Sequence, residues 1–159
     1  MRVSEVAALK SLLAKQPVAA LATLHSGNPA VSMVPFAMLS SGIGFVMHVS
    51  RLATHTNDML DNPAVALLVT ASLTEADSPL ALPRASIQGQ ARQCLPESPG
   101  YLEARSAYLV KLPDAEELFS FSDFSLFIVE PQSIRYVPGF GRAMSLTPER
   151  MRTVLGAEP

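Results

Sequence analysis

The residues best suited to chemistry stand in one polar run, Ser50-Arg51-Leu52-Ala53-Thr54-His55-Thr56-Asn57, directly after the apolar stretch Gly44 to Val49. A strand that hands the chain straight to a helix exposes the N–H groups of the first helical turn, and such groups attract anions. Hydroxyls, an arginine and a histidine surround this start, and no Asp or Glu occupies its first turn. The chemistry expected is the binding of a phosphate or a similar anion. The bland alternative makes Ser50 an ordinary helix cap and Arg51 a solvated charge.

Other chemistries find less support. His25, His48, His55 and Cys94 are scattered without metal-ligand spacing, so no metal site is expected. Neither a nucleophile elbow nor a glycine pattern for cradling phosphates is present. Twelve Lys and Arg against 14 Asp and Glu give no basic field to hold a nucleic-acid backbone. A lone cysteine cannot form an internal disulfide, and the apolar runs are far shorter than the roughly 20 residues that span a bilayer. A cytoplasmic protein without a membrane segment is expected. Charged residues make up only 16% of the chain, which points to a homo-oligomer that hides part of its surface.

The elements that must position the polar run follow from turn residues and periodicity. A chain of 159 residues suits a single domain: 1–16 an N-terminal helix, 17–143 a barrel with inserted helices, 144–159 a short C-terminal helix or tail. Ser4 can cap the first helix, whose stripe is Val6, Leu9, Leu12 and Leu13, and Pro17 stops it. Val18 to Leu24 and Ala30 to Met38 flank a short turn and form a hairpin, and Ile43 to Val49 is the third strand. Pro35 lies inside the second of these, which implies an edge, a bulge or backbone lent to something other than a strand. A helix from Leu52 to Leu60 ends at Asn62-Pro63, and Ala64 to Ala71 reads as a strand buried on both faces. Ser72 to Pro83, with Glu75 and Asp77, is a loop.

Arg84 to Cys94 alternates cleanly, with Ala85, Ile87, Gly89 and Ala91 on one face and Arg84, Ser86, Gln88, Gln90 and Arg92 on the other. A helix over Pro96 to Leu112 and a turn at Asp114 to Phe119 follow. Phe124 to Val129 is a strand broken by Pro131, Ser133 to Val137 its hairpin partner, and Pro138 to Ala143 a glycine-bearing loop. Thr147-Pro148 opens the last helix. Six to seven mostly antiparallel strands with peripheral helices describe a mainly β, α+β fold, Greek-key-like, closed into a small barrel because antiparallel edges must be hidden.

Several pieces then fall into a familiar order: Ala22-Thr23-Leu24, Pro29-x-x-Ser32-x-Val34-Pro35-Phe36, Ser50-Arg51-Leu52-Ala53-x-His55-Thr56-Asn57 and Asn62-Pro63, followed by Arg84-x-x-x-Gln88-Gly89-x-Ala91 and Gly139-Phe140-Gly141-Arg142-Ala143. From Leu12 to Ala143 the chain resembles the FMN-binding split barrels of the pyridoxamine 5'-phosphate oxidase-like superfamily, most of all its haem-utilisation branch. The resemblance implies a homodimer with FMN in clefts between subunits. It implies flavin-ring contacts from Ser32, Val34, Pro35 and Phe36, phosphate contacts from Ser50, Arg51, His55, Thr56 and Asn57, and Arg84 and Gln88 reaching in from the partner.

Two departures narrow the function. Arg51 is the only basic residue besides His55 near the phosphate position and no basic C-terminal motif follows, unlike the vitamin B6 oxidase. Only Met144 to Pro159 follows the Gly-Phe-Gly-Arg-Ala loop, without a histidine, unlike haem-cleaving relatives that have a further domain. The expected function is an FMN-binding flavoprotein, an oxidoreductase acting on a small molecule that the sequence does not name. Haem binding or non-catalytic flavin binding are the alternatives.

Overall fold

Alternating strands roll this chain into one sheet whose two ends are the same piece of chain. The computed structural model describes residues 1–74 and 78–156, so Glu75 and Asp77 of the expected loop lie outside the described residues. Its elements are α1 (Val3–Lys15), β1 (Val18–His25), β2 (Asn28–Pro35), β3 (Ala37–Met38), β4 (Phe45–Ser50), α2 (Thr54–Asp61), β5 (Ala64–Thr70), β6 (Arg84–Cys94), α3 (Tyr101–Lys111), β7 (Phe124–Gly139), β8 (Arg142–Leu146) and α4 (Pro148–Leu155).

The strand order is β2-β1-β5-β6-β7-β4-β3, with β8 also on β7, and every pairing is antiparallel. β2 pairs with β1 as far as Pro35, Phe36 follows, and β3 then pairs with β4 at Ala37↔Val46. Pro35 is therefore the corner where one strand leaves the first neighbour for the last, and the sheet closes into a split barrel. The fold class expected from sequence is the one observed.

The barrel interior holds Leu21, Phe36, Phe45, Met47, Leu67, Ile87, Phe127 and Tyr136, capped by Leu9 and Leu13 of α1 and Met151 and Leu155 of α4. Ala104 and Tyr108 of α3 pack on the outer side of Val46, Leu126 and Ile128, making a second apolar cluster. β4 is thus covered on both faces, as is the adjoining stretch Leu126 to Val129 of β7. β5, expected in that role, instead alternates, with Leu68 40% exposed.

Pro131 does not break β7. The strand passes through it because the register shifts there, Gln88 pairing with Ser133 but Gly89 with Pro131, and the extra residue Gln132 forms a bulge. Gly89 makes this close approach possible, since a Cβ at that position would collide with the Glu130 carbonyl and press on Val129. Gly89→Ala is expected to lower stability by about 1–3 kcal/mol, the range for overpacking, read as a lower urea midpoint with unchanged slope.

Smaller differences concern helix ends. Arg2, not Ser4, precedes α1, and its backbone N–H donates to the Glu5 carboxylate at 2.7 Å. α3 starts at Tyr101, five residues past Pro96. No helix among the described residues is long and apolar enough to cross a membrane.

Candidate functional site

The polar run after β4 is spent on holding its own loop. α2 begins at Thr54, and its N-cap is Ala53, whose side chain caps nothing. Ser50 caps no helix; its hydroxyl donates to the Asp123 carboxylate at 2.5 Å and accepts from the Leu52 N–H at 3.0 Å. Thr56 is fully buried and donates to the Ser50 carbonyl at 2.6 Å, while the Asn57 amide donates to the carbonyls of Arg51 and Ala53. Arg51 is exposed, with its backbone N–H on the Asp123 carbonyl and its guanidinium 3.5 Å from the Ser122 carbonyl. A carboxylate beside Ser50 repels a phosphate. Nothing in the local sequence signals this, because Asp123 is 73 residues away.

α2 also carries Asp58, which is 3% exposed and lies against the end of β1. Thr23 Oγ1 donates to it at 2.8 Å and His25 Nδ1 lies 2.6 Å from its other oxygen. The His25 contact, then that of Thr23, holds the Asp58 carboxyl below the usual carboxylate range against the opposing effect of burial. His55, half-buried one turn earlier, is pushed below the usual histidine value by burial, with Asp58 opposing. These groups do not gather into a metal site; among the described residues no three of His, Cys, Asp or Glu do.

The remaining expected residues divide between two sides of the sheet. Val34 and Phe36 are 1% and 0% exposed and point into the barrel; Phe36 packs near Phe45 with the Lys111 ammonium 3.7 Å above its ring. Burial pushes the Lys111 pKa down to about 8. Ser32 has an enclosed hydroxyl without a hydrogen-bond partner, and Pro35 is exposed. Arg84 and Gln88 lie on the outer face of β6, so their side chains and those of Val34 and Phe36 do not converge in one chain.

That outer face is where polar and apolar groups meet. Strand register sets Met33, Ala20, Leu68, Ser86, Arg135 and Ser145 in one row across five neighbouring pairs, and Val31, Ala22, Ala66, Gln88 and Ser133 in the next. The β2-β1-β5 half is apolar and bare, with Val31 76% and Met33 63% exposed. The β6-β7-β8 half is basic. Arg84, Arg135 and Arg142 surround a cleft of about 400 Å³ that includes Leu80, Val137 and Phe140 and no Asp or Glu.

Arg84 donates to the carbonyls of Leu80 and Leu82, and Arg142 pairs with Glu5. Arg135 makes no hydrogen bond or ion pair among the described residues. Sequence reasoning missed Arg135, although the alternation of Ser133 to Val137 puts it outward, opposite the apolar Ile134 and Tyr136. Phe140, 75% exposed at the tip of the β7–β8 turn, walls the same cleft. The arrangement can hold a flat apolar molecule that carries carboxylates.

Comparison with known proteins bears on the ligand. Residues 6–138 match the family Pyridoxamine 5'-phosphate oxidase. The chain is 34% identical over 145 residues to the chloroplastic heme oxygenase HOZ of Arabidopsis thaliana, covering 89% of this chain and 43% of that protein. It is 28% identical over 129 residues to heme oxygenase HutZ of Vibrio cholerae, covering 80% of this chain and 72% of that one. A solved heme binding protein from Mycobacterium smegmatis has a TM-score of 0.84 at 31% identity, over 96% of this chain and 62% of that chain. The chain therefore spans less than half the length of the Arabidopsis protein. These relatives are named for heme, not flavin, and they overturn the expectation of an FMN flavoprotein; the carboxylate already beside Ser50 is a physical reason in the same direction.

Proposed function

The chain belongs to the pyridoxamine 5'-phosphate oxidase family of split barrels, and from that premise we propose that it is a haem-binding member, holding haem as cargo or substrate on the outer face of its sheet. The observation that carries this reading is the arginine cleft. Haem is a flat apolar ring with two carboxylates on one edge, and the cleft offers guanidinium groups beside Leu80, Val137 and Phe140. The fit is to the carboxylate edge and one ring face. No His, Cys, Met or Tyr lines the cleft, so iron ligation is not assigned to it.

Within this proposal Arg135 takes a propionate, Arg84 a second anionic contact while bracing its own loop, and Phe140 lies against the ring. The apolar rows of β2, β1 and β5 continue the cleft. Bare apolar surface of this kind marks a contact with another molecule, and a second copy of the chain is the occupant proposed, because the homodimer expected from the low charge would cover the face and deepen the cleft. Bound haem would supply iron redox chemistry; the chain's own residues bind and orient it.

Hemin titration tests the assignment. A Soret band that saturates with hemin and weakens on replacement of Arg135 supports it, and hemin absorption indistinguishable from that in buffer removes it. The dimer has its own test. Light scattering is expected to give twice the 17.0 kDa chain mass, and Met33→Glu, which puts a charge on the exposed end of an apolar row, is expected to give the single-chain mass with the barrel still folded by circular dichroism. A wild-type mass of one chain at micromolar concentration ends the dimer proposal.

A further inference from the structure

β4 carries a buried side chain that its neighbours leave unsatisfied, on the side of the sheet away from the barrel interior. His48 is 6% exposed and its Nδ1 has no hydrogen-bond partner. Its ring lies flat on Phe119, with centroids 3.8 Å apart and planes 8° apart, while Phe124 stands 5.1 Å away and Tyr108 of α3 meets it edge-on at 5.9 Å. Burial, with a smaller repulsion from Arg105, pushes its pKa down to about 4. The imidazole is therefore neutral at pH 7, with one N–H and one lone pair.

His48 lines a cavity of about 380 Å³ between β4, β6, β7 and the turns of Pro113–Ser120. Its apolar walls are Tyr101, Phe119, Phe121 and Phe124; Gln93, Ser122 and Ser125 contribute polar groups. Gln93 is held by a 3.1 Å bond to Ser125, so that pair is already satisfied. Arg51 also lines the cavity, and the neighbouring Asp123 carboxylate is engaged by the Ser50 hydroxyl. The volume lies in the range of roughly 300–1,000 Å³ typical of small-molecule sites, and the lining combines aromatic walls with polar groups in about equal measure.

Aromatic walls select a planar ring, an imidazole edge on the cavity wall asks for one polar group on that ring, and a guanidinium asks for an anion. We propose that this cavity is a second ligand site, which binds a small planar aromatic acid with its ring against Phe121 and Phe124, a ring hydroxyl or heteroatom on the cavity-facing edge of the His48 imidazole and its carboxylate on Arg51. The site is separate from the arginine cleft and does not rest on the haem reading. It gives Arg51, whose side chain makes only a 3.5 Å contact to the Ser122 carbonyl, an anionic partner other than the expected phosphate.

The test is titration of the full chain with 4-hydroxybenzoate, 4-hydroxybenzamide and benzoate, followed by the imidazole nitrogen signals of the three histidines. A phenol can donate or accept, so it suits either tautomer of His48. The expected result is that 4-hydroxybenzoate moves the His48 signals and leaves those of His25 and His55 in place. The uncharged amide, and benzoate without its hydroxyl, should each bind more weakly. Arg51→Gln, a change at an exposed position, should weaken the acid by about tenfold or more, the loss expected for one charged hydrogen bond, and leave the amide unchanged. His48→Phe should abolish the preference for the hydroxyl. Absence of any His48 response at millimolar acid, or equal binding of acid and amide by wild type and Arg51→Gln, overturns the proposal.

Discussion

Alanine at Arg135 is expected to weaken hemin binding by about 10- to 150-fold, the equivalent of the roughly 1.5–3 kcal/mol for a hydrogen bond to a charged group. The double replacement of Arg84 and Arg135 should weaken it further. Arg135 gives the cleaner reading, because it has no partner among the described residues to lose, whereas Arg84 also ties down the carbonyls of Leu80 and Leu82. Arg142 is the poorest choice of the three, since its loss would strip an ion pair from the buried Glu5. Lysine at 135 should recover part of the affinity by restoring the charge without the planar fork. The measurement is a Soret titration of wild type and variants beside urea unfolding of each without hemin. Exposed guanidinium contacts should also weaken with added salt. Unchanged affinity in the Arg135 variant would take the carboxylate edge out of this cleft.

Acid is expected to destabilise the fold in two separate windows, and His48 opens the first. The ordinary histidine value is 6.5, and burial takes His48 in the folded chain to about 4. Between those values the unfolded chain binds a proton that the folded chain refuses, so the contribution is fully present above pH 6.5 and is lost as pH falls towards 4. About 2.5 pKa steps at 1.36 kcal/mol each amount to about 3 kcal/mol. Asp58 opens the second window. Its carboxyl lies below the ordinary 3.8, so its contribution is present above that value and is lost as pH falls through its lowered folded value. Urea unfolding at steps from pH 7.5 to 3 should therefore show a decline that begins well above the carboxylate range. His48→Phe, which keeps an aromatic ring against Phe119, should shrink the decline above pH 4 to the part that His55, also lowered by burial, contributes there, and leave the lower one.

The parts of this molecule that could be read in sequence are those whose cause is local. Arg84 to Arg92 alternates because one face of β6 meets the barrel core, so strand, face and the outward position of Arg84 and Gln88 all follow from neighbours two residues apart. Pro35 announced a departure from ordinary pairing for the same kind of reason, and the structure makes it the corner between β1 and β4. Ser50 misled because its partner is remote: Asp123 arrives from the start of β7, and a hydroxyl that looked free for an anion is held by a carboxylate. His48 was passed over because the aromatic rings around it come from 60 to 76 residues downstream. Pro131 was taken as a break because the bulge at Gln132 that accommodates it depends on Gly89 of another strand. The choice between flavin and haem had no local signature at all. The motifs belong to a barrel that relatives use for different ligands, and the arginines that favour one of them come together only once β6, β7 and β8 are paired.

The seam at Phe36 bears on which lengths of chain this barrel can tolerate. β2 and β3 are one continuous run, held by β1 on one side of Phe36 and by β4 on the other, so no slack separates the two registers. One residue inserted between Pro35 and Ala37 would force one of the two pairings to slip, and a slip of one turns every side chain of a strand to the opposite face. Val34 would be driven out of the core, or Ala37 would be turned away from α3. A longer insertion in the turn Ser26-Gly27 would meet no such obstacle, since it lies beyond the last paired residues, His25 and Asn28. Variation in length should thus collect at the hairpin tips and be excluded from the seam, although both are only a few residues of the same polypeptide.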